Sequence, residues 1–207
     1  VSSGNTLTFN GNVRAGVDNR TGTLLLDPKN ITIGSGSGDI TDVFATNESD
    51  DSTVAASTIN STLSAGTNVV LQANNDITVS TAITAANEGG AGGVLIMQAG
   101  RSILINANIT TDDGALTLTA NDTLANGVVD GQRDSNAALI TMDTSGSGTT
   151  INTGAGTFRA TISAGADKEN DTSGDITLDK VTAGVLVVTN NGTETGSDIL
   201  GNGILTI

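Results

Sequence analysis

Gly66 to Ala85 reads GTNVVLQANNDITVSTAITA, and it lies without a gap on Gly92 to Thr111, GGVLIMQAGRSILINANITT. Val69 falls on Leu95, Leu71 on Met97, and Ala73 on Ala99. After them, Ile77 falls on Ile103, Val79 on Ile105 and Ile83 on Ile109. Within each group the apolar residues alternate, which is the period of a strand with one face turned inward. The phase breaks at NND in one copy and GRS in the other, so each repeat is a short strand, a corner and another short strand. A third partial copy, GALTLTAND (Gly114 to Asp122), sets Leu116, Leu118 and Ala120 on the same positions. Later copies are looser: GTFRATI from Gly156 and GDITLDKVTAGVLVV from Gly174.

An earlier relative, GTLLLDPKNITI (Gly22 to Ile33), is one residue shorter at its corner. Asp27-Pro28-Lys29-Asn30 is turn chemistry, because proline presets one dihedral and removes a ladder donor while Asp and Asn bond to nearby backbone. Leu24 shares a face with Leu26, and Ile31 with Ile33. Two inward residues a side are too few for a hairpin in an ordinary sandwich. They suit a chain that turns a corner every few residues and stacks on its own next turn. The repeats therefore predict an all-β parallel solenoid over residues 1–207, a single unit with no linker between two cores. In it Val69, Leu71, Ile77, Val79 and Ile83 point inward and stack over Leu95, Met97, Ile103, Ile105 and Ile109. Turns of about 20 to 26 residues at about 4.8 Å spacing give roughly eight or nine turns and a core about 40 Å long.

Composition agrees with that reading. Three Phe and no Trp, Tyr or His leave aliphatic residues and Ala to fill the interior. The Gly, Thr, Asn and Asp load disfavours helix, and no period of 3.6 is sustained, so the chain reads as β throughout. Its 22 acidic residues against 8 basic ones give a net charge of −14. Eighteen of the acids are Asp, which places the charge at corners. Such a chain does not suit nucleic acid, whose phosphates need a basic face, nor an anionic membrane surface. No Cys is present, no signal peptide or apolar spanning run is visible, and both ends look like strands. The sequence therefore reads as a mature product or an excised piece of something longer, with terminal edges that another copy or a neighbouring solenoid segment would pair.

GTLLLDPKNITI, together with TINSTLSAGTNVVLQANNDITVSTAIT, resembles the filamentous-haemagglutinin-like exoproteins of Gram-negative bacteria, in the region after their secretion domain. The resemblance is strongest over residues 1–120, and VSSGNTLTFNGNVRAGVDNRTG fits the same neighbourhood. It implies a right-handed parallel β-helix, export by two-partner secretion through an outer-membrane partner, and a secreted, cell-surface location. It also implies an adhesin or extracellular filament whose ligands lie on host or neighbouring cells. The NPNL and NPNG motifs of the secretion domain are absent.

Catalysis here must manage without His or Cys, and no Gly-x-Ser-x-Gly elbow with a usable base occurs. Because parallel β-helices also carry polysaccharide-acting enzymes, Asp112-Asp113 and the pair Asp130/Asp134 beside Arg133 are the candidate carboxylates. Asp before Gly is equally the chemistry of a turn, and that reading is preferred; no enzyme activity and no cofactor are expected. Calcium has its best candidates in Asp39, Asp42, Asp50 and Asp51, around NESDDST, although the spacing matches no fixed-geometry cation loop. Arrayed threonines of an ice-binding face are disfavoured, since Thr-x-Thr does not recur at one position in successive turns. Sequons at Asn19, Asn30, Asn47, Asn60, Asn108, Asn121, Asn170 and Asn191 are a mild excess over what this composition gives by chance. Two insertions, 35–58 and 122–136, read as loops; ordinary decoration is the preferred reading, and partner contact, with Arg133 as the conspicuous base of the second, is the alternative. The expected function is a structural and adhesive stalk, with a self-assembling filament subunit or a β-helical polysaccharide enzyme as the alternatives.

Overall fold

The computed structural model describes residues 23–26, 28–36, 51–122, 133–164, 173–192, 199–201 and 205–206. Among these the structure is all-β apart from one short helix, and every strand pairing is parallel. The chain enters through β1 (Thr23–Leu26) and β2 (Asn30–Gly34), followed by β3 (Asp51–Ala55) and α1 (Ala56–Ser64). It then makes repeated three-strand passes. The first two are β4 (Asn68–Ala73), β5 (Ile77–Val79), β6 (Ile83–Thr84) and β7 (Leu95–Ala99), β8 (Ile103–Ile105), β9 (Ile109–Thr110). The next two are β10 (Leu116–Ala120), β11 (Ala138–Met142), β12 (Thr150–Asn152) and β13 (Thr157–Ile162), β14 (Ser173–Leu178), β15 (Lys180–Thr182). The last is β16 (Val185–Asn190), β17 (Ile199–Gly201) and β18 (Leu205–Thr206).

Equivalent strands of successive passes form three sheets. Sheet 1 runs β1-β4-β7-β10-β13-β16, sheet 2 runs β3-β2-β5-β8-β11-β14-β17, and sheet 3 runs β6-β9-β12-β15-β18. The register is that of the repeat alignment: Val69 opposite Leu95, Leu71 opposite Met97, Ile77 opposite Ile103, Val79 opposite Ile105 and Ile83 opposite Ile109. All ten are fully buried. The opening stretch joins the same columns, with Leu24 opposite Val69 and Ile31 opposite Ile77. Phe158, the bulkiest buried side chain, continues the column of Leu116. Aliphatic residues of equal shape stacked at the strand spacing fill the interior without aromatics.

Between sheets 3 and 1 the corner leaves no room for a side chain. A Cβ on Gly93 would lie 2.0 Å from the Thr67 carbonyl oxygen, and one on Gly114 would lie 2.4 Å from that of Gly93. The column continues with Gly156 and Gly184, whose Cβ atoms would lie 2.6 Å and 2.2 Å from carbonyl oxygens of the preceding pass. Glycine before β7, β10, β13 and β16 is thus a packing requirement between passes, while Thr67 holds the equivalent place before β4.

Three expectations need correction. Five passes, not eight or nine, place a strand in all three sheets among the described residues. Gln72 and Gln98 keep the expected 26-residue offset, but Asn121 and its neighbour Ser163 are 42 residues apart, because the third repeat carries an insertion between its first two strands. That repeat resumes at ALITM, where Ile140 and Met142 stand opposite Ile103 and Ile105.

The second correction concerns 35–58. Residues 37–50 lie outside the described residues, yet 51–58 form no loop. Asp51–Ala55 pairs in register along β2, and the helix begins at Ala56. The third is that the chain is not β throughout. Ala56, Ile59 and Leu63, spaced for one helical face, are buried in the core. The helix stops at a left-handed Gly66 (φ +73°). There the Gly66 N–H donates to the Leu63 carbonyl at 2.9 Å and the Thr67 N–H donates to that of Thr62 at 3.1 Å, a Schellman ending.

Candidate functional site

The densest polar cluster among the described residues sits at the corner between sheets 1 and 2. Asn30 starts β2, and its Oδ1 accepts from Asn75 Nδ2 and from the Asp76 N–H, both at 2.9 Å. One pass on, Arg101 grips Asp76 with two bonds, Nε to Oδ1 at 2.8 Å and Nη2 to Oδ2 at 2.5 Å, while the Ser102 N–H donates to Oδ1 at 3.0 Å. The hydrogen bond to Asp76 is the largest influence raising the Arg101 pKa above its ordinary value. Each side chain thus satisfies the backbone or side chain of the neighbouring pass.

Residues 133–136 fold back over this corner. Arg133 is buried, and its guanidinium donates Nη2 to the Asp122 carbonyl at 2.6 Å and Nη1 to that of Gly100. Asp134 accepts from Asn75 Nδ2 at 2.9 Å and from Lys29 Nζ at 3.2 Å. The alternative in which Arg133 serves as a contact base on an outward loop does not fit its burial. Its guanidinium donates to carbonyl oxygens inside the corner, and the segment ties down several passes. Nothing in the sequence separated an inward arginine from an outward one, because the carbonyls it bonds lie far away in the chain.

The other carboxylate pair makes turns. Asp112 and Asp113 both have left-handed backbones, at φ 54° and 63°. Asp112 Oδ2 accepts from the Asn87 N–H, and Asp113 Oδ1 accepts from the Ala155 N–H at 2.6 Å. The two acids thereby bridge the pass before and the pass after their own. Asp130 lies outside the described residues, as do the calcium candidates Asp39, Asp42 and Asp50. Asp51 opens β3, where its Oδ1 accepts from Asn30 Nδ2 at 2.5 Å. Among the described residues no three His, Cys, Asp or Glu side chains are grouped to hold a metal ion.

Sequons divide by environment. Asn19, Asn47 and Asn170 are outside the described residues. Asn121 is fully buried, and Asn30 and Asn60 are half-buried with Oδ1 accepting from neighbouring backbone. Asn108 and Asn191 are exposed. Thr-x-Thr does not recur from pass to pass, since Thr117 and Thr119 stand opposite Ile96 and Gln98 on one side and Arg159 and Thr161 on the other, but single threonines do form columns. Sheet 3 carries Thr84, Thr110, Asn152 and Thr182 in one outward column. Sheet 2 carries Thr53, Thr32 and Thr78, then Leu104, then Thr141 and Thr177. The unequal repeat lengths hide both columns in the sequence.

A groove runs between α1 and the corners that follow β2 and β5, lined by Gly34, Ser35, Ser57, Asn60 and Thr81. It holds hydroxyl and amide groups and no carboxylate among the residues that line it. No family model, curated protein or solved structure matches the chain.

Proposed function

We propose that the chain is a right-handed parallel β-helix, and that it serves as the structural and adhesive stalk of a secreted bacterial cell-surface exoprotein. The resemblance of its first 120 residues to filamentous-haemagglutinin-like exoproteins motivates the class, and with it export by two-partner secretion. The right hand follows from the crossover preference of parallel strands. One observation carries the reading: polar side chains at the corners are engaged by adjacent passes. Asp76 is held by Arg101 and the Ser102 N–H, Asp112 by Asn87, and Asp113 by Ala155. Groups engaged this way stiffen a rod along its axis, and they are poorly placed to act as acid and base on a substrate. The stalk holds ligand-binding portions away from the cell, and its neighbours are adjoining segments of the same exoprotein. It has no hydrolytic or lyase activity of its own.

Antibody labelling of intact producing bacteria tests the location, and deleting the segment tests the role. Surface labelling, with shortened projections and reduced cell adherence after deletion, is the expected result. Labelling only in lysed cells, or adherence and projection length unchanged by deletion, would contradict it. Turnover of an acidic polysaccharide by the pure chain, abolished by Asp112→Asn, would replace the stalk with an enzyme.

A further inference from the structure

Among the described residues sheet 3 ends at β6, and α1 lies where its next strand would be. Along β6 the Ile83 and Ala85 N–H groups donate inward to β9, to the Asn108 and Thr110 carbonyls at 3.0 and 2.9 Å. The intervening Thr84 and Ala86 N–H groups point the other way, where an exposed sheet edge would offer them to any passing strand. Instead they meet α1: Asn60 Oδ1 accepts from Thr84 N–H at 2.8 Å, and Ser64 Oγ accepts from Ala86 N–H at 2.9 Å. The spacing explains the fit. Four residues of helix rise about 6.0 Å and two residues of strand about 6.6 Å, so acceptors at i and i+4 meet alternate strand amides. On the inner side Ile59 and Leu63 fill the core beside Ile83.

We propose that α1 is an edge stop, which keeps the β6 edge closed against strand addition by a second copy of this chain. The occupant is set by the sheet itself. Ile83, Ile109, Ile151 and Val181 form its buried column, beside the outward Thr84, Thr110, Asn152 and Thr182. A strand carrying that two-residue pattern completes β6; because β9, β12 and β15 are paired on both sides, the strand a second copy can offer is β18, which among the described residues pairs with β15 alone. α1 is built to hold weakly. Ala55 gives its N-terminus no side-chain cap, the first turn has no acidic residue, and Thr58, Ile59 and Thr62 are β-branched. The proposal does not rest on the stalk reading, because it concerns the isolated chain.

The test combines amide exchange with sedimentation. Asn60→Ala with Ser64→Ala removes both acceptors and leaves Ile59 and Leu63 in place. Thr84 and Ala86 amides should then exchange faster by on the order of tenfold in dilute solution. At higher concentration the variant should associate, with protection of those two amides returning, while the unaltered chain does not associate through this edge. Ser57→Glu, at an exposed first-turn position, should instead slow their exchange about two- to fivefold, and this variant keeps the question answerable if the double variant fails to fold. Unchanged exchange in the variants, association that leaves Thr84 and Ala86 unprotected, or no association once they exchange freely would each overturn the proposal.

Discussion

Arg101 reaches one pass back along the stack and closes a two-bonded ion pair on Asp76, with both side chains 17% exposed. Because Asp76 Oδ1 also accepts from the Ser102 N–H, the pair fixes the corner of one pass on the corner of the next. Arg101→Ala should cost about 1–3 kcal/mol in urea unfolding, since a half-buried carboxylate loses its charged partner. Arg101→Lys should recover only part of that, because an ammonium cannot match the planar fork. An unchanged urea midpoint for Arg101→Ala would mean the pair is decoration.

The glycine column predicts a sharp contrast. Gly114→Ala places a methyl 2.4 Å from the Gly93 carbonyl oxygen, backbone that cannot yield without separating two passes. A loss of more than about 3 kcal/mol is expected. Gly36→Ala meets nothing within 4 Å, and should lie within about 0.5 kcal/mol of the parent chain. Equal effects at the two positions would show that the close approach is not real.

Ile103 lies between Ile77 and Ile140 in the central column of sheet 2 and is fully buried. Trimming it to Val should cost about 0.5–1.5 kcal/mol, and to Ala about 2–5 kcal/mol. Ile103→Asp should prevent folding at neutral pH, because its charge would be buried with no partner. Thermal melts read the series, and a melting temperature unmoved by Asp would refute the stacked interior.

Asp143 offers a pH test. Its carboxylate is held below the ordinary range by the Ser145 hydroxyl and then by the Ser145 N–H, whose bond to Oδ1 is 2.8 Å. A depressed folded-state pKa contributes stability above the unfolded value, and that stability is lost as pH falls through the folded one. NMR titration should therefore place Asp143 below a model aspartate. Ser145→Ala should move it back only partway, since the backbone donor remains.

How much of this was legible in the sequence depended on distance along the chain. The register of β4 to β9 could be read directly, because Val69 and Leu95 belong to adjacent repeats of nearly equal length with the same alternation. The helix was missed. It is only nine residues long, and its apolar stripe of Ala56, Ile59 and Leu63 sits among Ser, Thr and Asn, which weakens any helical period. Gly66 after that stripe was the available signal, a helix-ending glycine read as the start of a strand repeat. The threonine columns and the buried Arg133 were hidden for a different reason. Both depend on insertions that place distant residues side by side, and no local pattern records such contacts. The turn chemistry of Asp112 and Asp113 was legible from the glycine that follows them, but their engagement by backbone donors of two neighbouring passes was not.

The central claim is that successive repeats lie side by side in parallel and in register, and engineered disulfides in this cysteine-free chain measure it most directly. Val70 stands opposite Ile96, and Gln72 opposite Gln98. A bridge forms readily only when Cα atoms are within about 7 Å. The account predicts that Val70→Cys/Ile96→Cys and Gln72→Cys/Gln98→Cys both oxidise fully in the folded monomer, while Val70→Cys/Gln98→Cys and Gln72→Cys/Ile96→Cys do not. An antiparallel arrangement centred on the same residues reverses that outcome, with the second two variants bridging and the first two remaining reduced.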